Sequence, residues 1–330
     1  MKIGIVGVSG FGGSELLRLI ASHPSFKLTW VGGESSAGQR LGARFPALEG
    51  HATGALVIEP FVPDSLGHLD LLFASLPTSK SREPLARVPA NVRIVDVGGD
   101  HRFVEGWTYG LTEMPGQRAA IRTTTRLANP GCFPAAALLP LIPLLKEGLI
   151  EPQGIVIDAK SGVTGTGRGG ASDFGYVETS EDMFAYGLAA HPHVPEMEKA
   201  LSQVAGSPVT VAFTPHIVPM KRGILATCYA RPIGAVTAKR LVEAANATYA
   251  GESFVRVVEV ENGRSPHTAW ATGSNLAFLS YAINPRTGHV VALGAIDNLG
   301  KGAAAQALQN ANLMAGCAET AGLSGLPMWP

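Results

Sequence analysis

Ile3-Gly4-Ile5-Val6-Gly7-Val8-Ser9-Gly10-Phe11-Gly12-Gly13 carries a short apolar run into a glycine-rich turn that opens a helix. The run Ile3 to Val6 reads as a buried strand, and Ser14 to Ser22 reads as the helix that follows it. Outward from this unit, Leu28 to Val31, Leu69 to Ala74 and Ile94 to Val97 are further apolar runs separated by helical stretches, the pattern of a parallel sheet wrapped by helices. The texture changes after Cys132. Ile155 to Ala159, Val209 to Phe213, Ile224 to Ala230, Phe254 to Val260, Asn275 to Ala282 and His289 to Ala295 are strand-like. Helical stretches interrupt them near Val194 to Gln203 and Ala238 to Tyr249, which predicts a mostly antiparallel sheet with helices on one face. The Ala- and Gln-rich helix Gly302 to Ala315 is expected to pack back on the first domain. The predicted fold is therefore α/β plus α+β: a Rossmann-type domain from residues 1–131 and 299–330, and an α+β domain over 132–298.

The GxxGxxG turn brings a backbone close to a pyrophosphate, and the helix start adds amide donors and positive potential. Gly7, Ser9, Gly10, Phe11, Gly12 and Gly13 are candidate dinucleotide contacts, against the bland alternative of a tight strand-to-helix turn. At the end of the second strand the chain reads Gly32-Gly33-Glu34-Ser35-Ser36-Ala37-Gly38-Gln39-Arg40. Ser35, Ser36 and Arg40 suit a ribose 2′-phosphate and favour NADP, whereas Glu34 argues for the free 2′-hydroxyl of NAD.

Composition narrows the partners. Among 330 residues, 26 Lys+Arg balance 26 Asp+Glu, which offers no basic field for nucleic acid and no polybasic membrane patch. Small ligands are the expected partners. No apolar run reaches the roughly 20 residues that span a bilayer, and no secretion signal is evident at the N-terminus. Cys132, Cys228 and Cys317 are odd in number and widely spaced, which argues against a disulfide framework or a cysteine zinc site and fits a reducing cytoplasm.

Asn129-Pro130-Gly131-Cys132-Phe133-Pro134 places a thiol at the expected start of a helix running through Ala135 to Lys146, with Pro134 in its first turn. Helix amides and the dipole there favour thiolate and lower the thiol pKa below its free value of about 8.5. A buried cysteine acting as a small hydrophobe is the competing reading.

His191-Pro192-His193-Val194-Pro195-Glu196 is the second chemical cluster. A histidine shuttles protons near neutral pH, a carboxylate can orient it, and a thiolate with an imidazole performs acyl transfer. A solvent-exposed loop is the bland alternative. A metal site of His191, His193, Glu196 and His216 ranks below both, because His-x-His lacks the i, i+4 spacing of a helical zinc pair; no metal is expected. Ser161-Gly162-Val163-Thr164-Gly165-Thr166-Gly167-Arg168 suits contact with phosphate or nicotinamide, with Arg168 able to hold an oxyanion. Arg102, in Asp96-Val97-Gly98-Gly99-Asp100-His101-Arg102, is placed to hold a substrate carboxylate or phosphate, or else to pair with Asp100.

GVSGFGGSELLRL, ANPGCFP, SGVTGTGR, HPHVPE, FTPHIVPMKRGILAT and AIDNLGKGAAAQALQNANLM, in this order, resemble the N-acetyl-gamma-glutamyl-phosphate reductases, relatives of the aspartate-semialdehyde dehydrogenases. The resemblance runs from end to end. It implies NADPH-dependent reduction of an acyl phosphate to an aldehyde through a cysteine thioester, in arginine biosynthesis, with the second domain also carrying the dimerisation surface. On the resemblance, Cys132 is the nucleophile and His193 the acid/base. Arg102, Arg168, His191 and Glu196 are then expected around the substrate, and Leu76, Pro77, Ser161, Gly162 and Asn298 around the cofactor. A homo-oligomer, dimer or tetramer, is expected. The chain departs from the family at His101, where an aromatic residue is usual, at Pro192, where arginine is usual, and at Thr78-Ser79, where His-Gly is usual. A branch acting on carrier-bound glutamyl or aminoadipyl phosphate often departs from the NPGC and SGxxGxGR patterns, and this chain keeps both. A cysteine hydrolase would leave the glycine loop idle, and a dinucleotide sensor would leave the thiol inert.

Overall fold

In the computed structural model, which describes residues 1–168, 175–260 and 264–328, the chain divides into two units. One comprises Met1–Thr112, Gly116–Pro130 and Ala303–Ser324, the other Glu113–Pro115, Gly131–Gly302 and Gly325–Pro330.

The first unit runs β1 (Lys2–Val6), α1 (Phe11–Ile20), β2 (Lys27–Gly32), α2 (Leu41–Arg44), β3 (Leu71–Ala74), α3 (Arg82–Ala86), β4 (Arg93–Asp96), β5 (Thr108–Tyr109), α4 (Gln117–Thr123) and β6 (Arg126–Ala128). Its sheet has the order β2-β1-β3-β4-β6-β5, with every pair parallel. Strands covered on both faces must be apolar along their whole length, and all four residues of β3 are buried. The chain places β2 on one side of β1 and β3 on the other, so the sheet reverses its direction of growth at β1. Ligands of open parallel sheets gather at the carboxyl ends of strands at such a reversal. β5 and β6, too short for a periodic signal, are additions to the sequence reading. Helix α1 starts three residues before the predicted Ser14, inside the glycines, because Gly13 packs where any side chain would strike the Gly7 carbonyl.

The last helix, α9 (Ala305–Ala315), belongs to this unit and packs against α1 and α4. It buries Gln306, Gln309, Asn310 and Asn312 completely. Buried amides need partners. Asn310 Nδ2 donates to Gly110 O at 2.8 Å and to Asn129 Oδ1 at 3.1 Å, and Gln306 Nε2 donates to Thr112 Oγ1 at 2.9 Å. The helix thus fixes the loop after β5 and the asparagine that ends the unit.

The second unit contains α5 (Cys132–Lys146), β7 (Ile155–Gly162), α6 (Tyr176–Thr179), β8 (Phe184–Ala185), α7 (His193–Ala205), β9 (Val211–Val218), β10 (Ile224–Ala230), α8 (Ala238–Thr248), β11 (Val255–Val257), β12 (Ala277–Ile283) and β13 (Val290–Ile296). The sheet order is β11-β12-β13-β10-β7-β9-β8. The pairs β7–β9 and β11–β12 are parallel and the rest antiparallel. Helix α5 is apolar around its whole circumference and lies buried between the sheet and helices α7 and α8. It comes so close to β13 that a Cβ on Gly294 would collide with Ala136 O. Strand β9 runs five residues beyond the predicted Phe213, through Pro215. A proline is tolerated there because β8, the neighbour on one side, pairs only with Ile217 and His216. Lys301 Nζ meets Glu113 Oε1 at 2.6 Å with both side chains fully buried. No helix among the described residues is long and apolar enough to cross a membrane.

Candidate active site

The glycine loop follows β1 at the carboxyl edge of the first sheet, and its glycines serve different ends. Gly7 has φ +79°, and a Cβ on it would strike Ser75 O. Gly13 closes the packing of α1, and a Cβ on Gly12 would sit 2.8 Å from Ser75 Oγ. A Cβ on Gly10 would meet only Gly7 O, at 3.4 Å, so the protein itself leaves room there. Gly10 also caps α1 without a side-chain acceptor, and no acidic residue occupies the first turn. An uncapped helix start beside an open glycine fits a pyrophosphate.

Ser9 and Ser36 share a 2.5 Å hydrogen bond that joins this loop to the turn after β2. Ser36 is buried, so it is drawn inward to hold the two turns together, while Ser35 and Glu34 are exposed. Arg40 lies 3.5 Å from Glu49 at the surface. Half-buried Leu76 and exposed Pro77 follow β3. The next turn is held by Asp100, whose carboxylate accepts from Ser79 N (2.6 Å), Ser81 N (2.9 Å) and Ser81 Oγ (2.9 Å). Burial pushes the Asp100 carboxyl up, but these hydrogen bonds outweigh it and hold it below the usual range. Arg102 Nε donates to Asn129 O at 3.0 Å, which ties the segment after β4 to the Asn-Pro turn. His101 is buried, stacks on Trp107 at 3.8 Å and meets Asp96 Oδ2 through Nδ1 at 2.6 Å. The imidazole fills the aromatic position by stacking, and adds a buried polar bond.

In the second unit, Cys132 is the first residue of α5 and His193 the first of α7, two helices that pack on each other. The helix starts two residues before Pro134, which therefore stands third in it. Phe133 contacts His191 at 5.7 Å, His193 at 6.0 Å and Phe213 at 5.2 Å between ring centroids. The two histidine rings are 4.7 Å apart. His191 Nδ1 accepts the amide of His193 at 3.1 Å, and burial pushes the His191 pKa down to about 4. A neutral ring that accepts at Nδ1 carries its proton on Nε2. Glu196, buried in the first turn of α7, accepts Gly131 N–H at 2.8 Å through Oε1. Gly302, in a π-helical turn (Gly300–Ala304), approaches so closely that a Cβ on it would lie 2.8 Å from Cys132 Cβ. Tyr186, which the sequence reading passed over, packs its ring 5.6 Å from His191. Burial, and then the negative charge of the Cys132 thiolate, raise its phenol pKa. Its only local signal is a tyrosine five residues before the histidine pair.

Ser161 is buried at the end of β7, and a Cβ on Gly162 would crowd the Met220 carbonyl at 2.8 Å. Arg168 is exposed. Asn298 uses both ends of its amide: Oδ1 accepts Gly223 N at 2.8 Å and Nδ2 donates to Thr164 Oγ1 at 2.9 Å. It thereby holds the loop that follows β7. His216 alternates with Phe213 along β9 and so faces the other side of the sheet, where its Nδ1 lies 3.2 Å from Asp158 Oδ1. It is not brought to the histidine pair. Cys228 is fully buried, and burial pushes its thiol pKa far up.

Residues 2–123 match the NAD binding domain of semialdehyde dehydrogenases, and residues 132–298 match their dimerisation domain. N-acetyl-gamma-glutamyl-phosphate reductases from Bradyrhizobium sp. (strain BTAi1 / ATCC BAA-1182) and Methylobacterium sp. (strain 4-46) are 56% and 57% identical to this chain, each alignment covering 100% of it and 99% of the relative. The chain belongs to the N-acetyl-gamma-glutamyl-phosphate reductase family, within the semialdehyde dehydrogenases. The reductase-family fold is also that of aspartate semialdehyde dehydrogenase II from Vibrio cholerae, solved with ASA, at TM-score 0.75 and 14% identity over 95% of this chain and 98% of that one. The Candida albicans aspartate semialdehyde dehydrogenase solved with NADP matches at TM-score 0.75 and 15% identity, over the same shares of the two chains. Members of this family bind a nicotinamide dinucleotide in the first of the two matched domains.

Proposed function

We propose that this chain reduces N-acetyl-gamma-glutamyl phosphate to N-acetylglutamate 5-semialdehyde with release of phosphate, using NADPH, in arginine biosynthesis. The observation that carries the reading is Cys132 at the first position of a buried helix, beside a histidine pair of which His191 is held neutral. Full-length relatives named as N-acetyl-gamma-glutamyl-phosphate reductases support the substrate. The dimerisation segment supports a homo-oligomer, which we take to be a dimer or tetramer.

Cys132 Sγ, its proton already passed to His193, attacks the acyl carbonyl as thiolate. The carbon–oxygen bond to phosphate breaks, and phosphate departs with the electron pair. The product of this step is a thioester on Cys132. Developing negative charge on the carbonyl oxygen is met by amides at the start of α5. NADPH, held by the glycine loop, would supply the hydride that reduces the thioester carbonyl. When the resulting thiohemiacetal collapses, the carbon–sulfur bond breaks and His193 returns its proton to the departing sulfur. Neutral His191 donates through Nε2–H and keeps a second positive charge out of the cluster. The glycine loop around Gly10, with Ser9, would hold the cofactor phosphates, Ser35 and Arg40 would admit the 2′-phosphate, and Ser36 would keep the two turns together. Arg102 and Arg168 are assigned to the substrate phosphate and carboxylate.

The direct test runs the reaction in reverse: purified protein, N-acetylglutamate semialdehyde, phosphate and NADP, with aspartate semialdehyde as control. Phosphate-dependent NADP reduction with the first substrate and not the second is the expected outcome. Tight NADPH binding with no turnover of either would overturn the substrate assignment.

A further inference from the structure

Glu196 lies in the first turn of α7 at 5% exposure, and its Oε1 takes the amide hydrogen of Gly131 at 2.8 Å. Gly131 caps α5 in extended conformation, φ −69° and ψ 156°, so its amide stands outside the helical ladder and has no intrahelical acceptor. Pro130 and Pro134 carry no N–H, which leaves Gly131, Cys132 and Phe133 as the only consecutive amides around the thiol. The Gly131 amide is committed to the carboxylate. On its other side, Cys132 is closed in by Gly302, where a Cβ would lie 3.2 Å from Cys132 Cα. The backbone at the thiol is therefore fixed by a charge-assisted hydrogen bond and by a close steric contact, both within one unit.

We infer that Glu196 is a positioning residue for Cys132: its carboxylate clamps Gly131 and with it the first turn of α5. The inference rests on the reductase reading and replaces the substrate contact expected for Glu196 from the sequence. Three roles differ in what a glutamine can do. A glutamine side-chain oxygen accepts the same N–H, so a clamp survives Glu196→Gln and is lost in Glu196→Ala. A charge partner for His193 is lost in both variants. A substrate ligand shows itself in KM.

Two readouts separate these roles: amide hydrogen exchange of the segment 131–133, where the flanking prolines contribute no signal, and steady-state kinetics of the semialdehyde oxidation. In Glu196→Ala the segment should lose protection and kcat should fall by roughly 100-fold, as expected for a nucleophile displaced by about 1 Å, with KM nearly constant. Glu196→Gln should keep the protection and most of kcat. Wild-type protection in Glu196→Ala would overturn the clamp, as would a Glu196→Gln variant as slow as Glu196→Ala, or an effect confined to KM. Hydrogen exchange needs no substrate, so an error in the substrate assignment would appear as an inactive wild type with the exchange result intact.

Discussion

The amide of His193 donates to Nδ1 of His191 across 3.1 Å, so each histidine of the pair constrains the other. The bond consumes the lone pair through which His191 would take a proton on that side, and burial lowers its pKa to about 4. His191 is thereby left as a neutral ring with its proton on Nε2, which is why the proposed mechanism gives the proton transfer to His193. The stability consequence has a definite sign. The folded pKa lies below the ordinary value of 6.5, so on acidification the unfolded chain takes up a proton that the folded chain refuses. The contribution is full above pH 6.5 and is lost as pH falls toward 4. His191→Asn, which can still accept the His193 amide, should flatten this loss in calorimetric melting curves between those limits. Parallel curves for wild type and variant would contradict the assignment.

Cys132→Ser should lower kcat by on the order of 10³-fold or more, because a hydroxyl is far less readily ionised than a helix-terminal thiol. NADPH binding, read as a thermal shift, should be unchanged. Peptide mapping after iodoacetamide treatment of the folded enzyme should find Cys132 modified and Cys228 intact, since burial holds Cys228 as an inert thiol. Modification of Cys228 without unfolding would contradict the buried strand position assigned to it.

Gly302→Ala tests the contact behind Cys132. Its Cβ would come 2.8 Å from Cys132 Cβ, and backbone on both sides leaves no flexible side chain to yield. Overpacking of this kind costs about 1–3 kcal/mol, to be read from urea unfolding midpoints. A displaced thiol should also lower kcat roughly tenfold or more. Wild-type kcat and stability together would mean that the turn yields freely.

Ser79 has φ +70°, a left-handed conformation that glycine adopts without steric cost. Its amide remains bonded to Asp100 whatever the side chain. Ser79→Gly, which restores the residue usual in the family, should therefore change stability by no more than about 1 kcal/mol, with relief of strain opposing the added freedom of the unfolded chain. A larger loss in chemical denaturation would show that the Ser79 hydroxyl contributes to the fold.

Local chemistry made much of this protein readable. An apolar run into glycines marked β1 and α1, and a cysteine between Gly131 and Pro134 marked the start of a helix. The two-residue strands β5 and β8 were not readable, because neither offers a period. Nor was the direction of Ser36, which a surface-turn composition leaves open and which the bond to Ser9 settles inward. Nor were the partners of Asn298, whose amide is bound at one end to Gly223 and at the other to Thr164.

The sequence by itself determined the order of the longer strands and their principal helices, the glycine turn, and the placing of a thiol and a histidine at helix starts. These follow from periodicity, capping and backbone freedom, which act over a few residues. Only the tertiary structure decided what surrounds them: Glu196 on Gly131, Gly302 behind Cys132, Tyr186 against His191, and His216 turned to the other face of β9. The first two of these contacts join residues 65 or more positions apart. The first exists because the packing of α5 on α7 brings two distant helix starts together, and the second because the turn after β13 closes on the start of α5, relations that no local pattern contains.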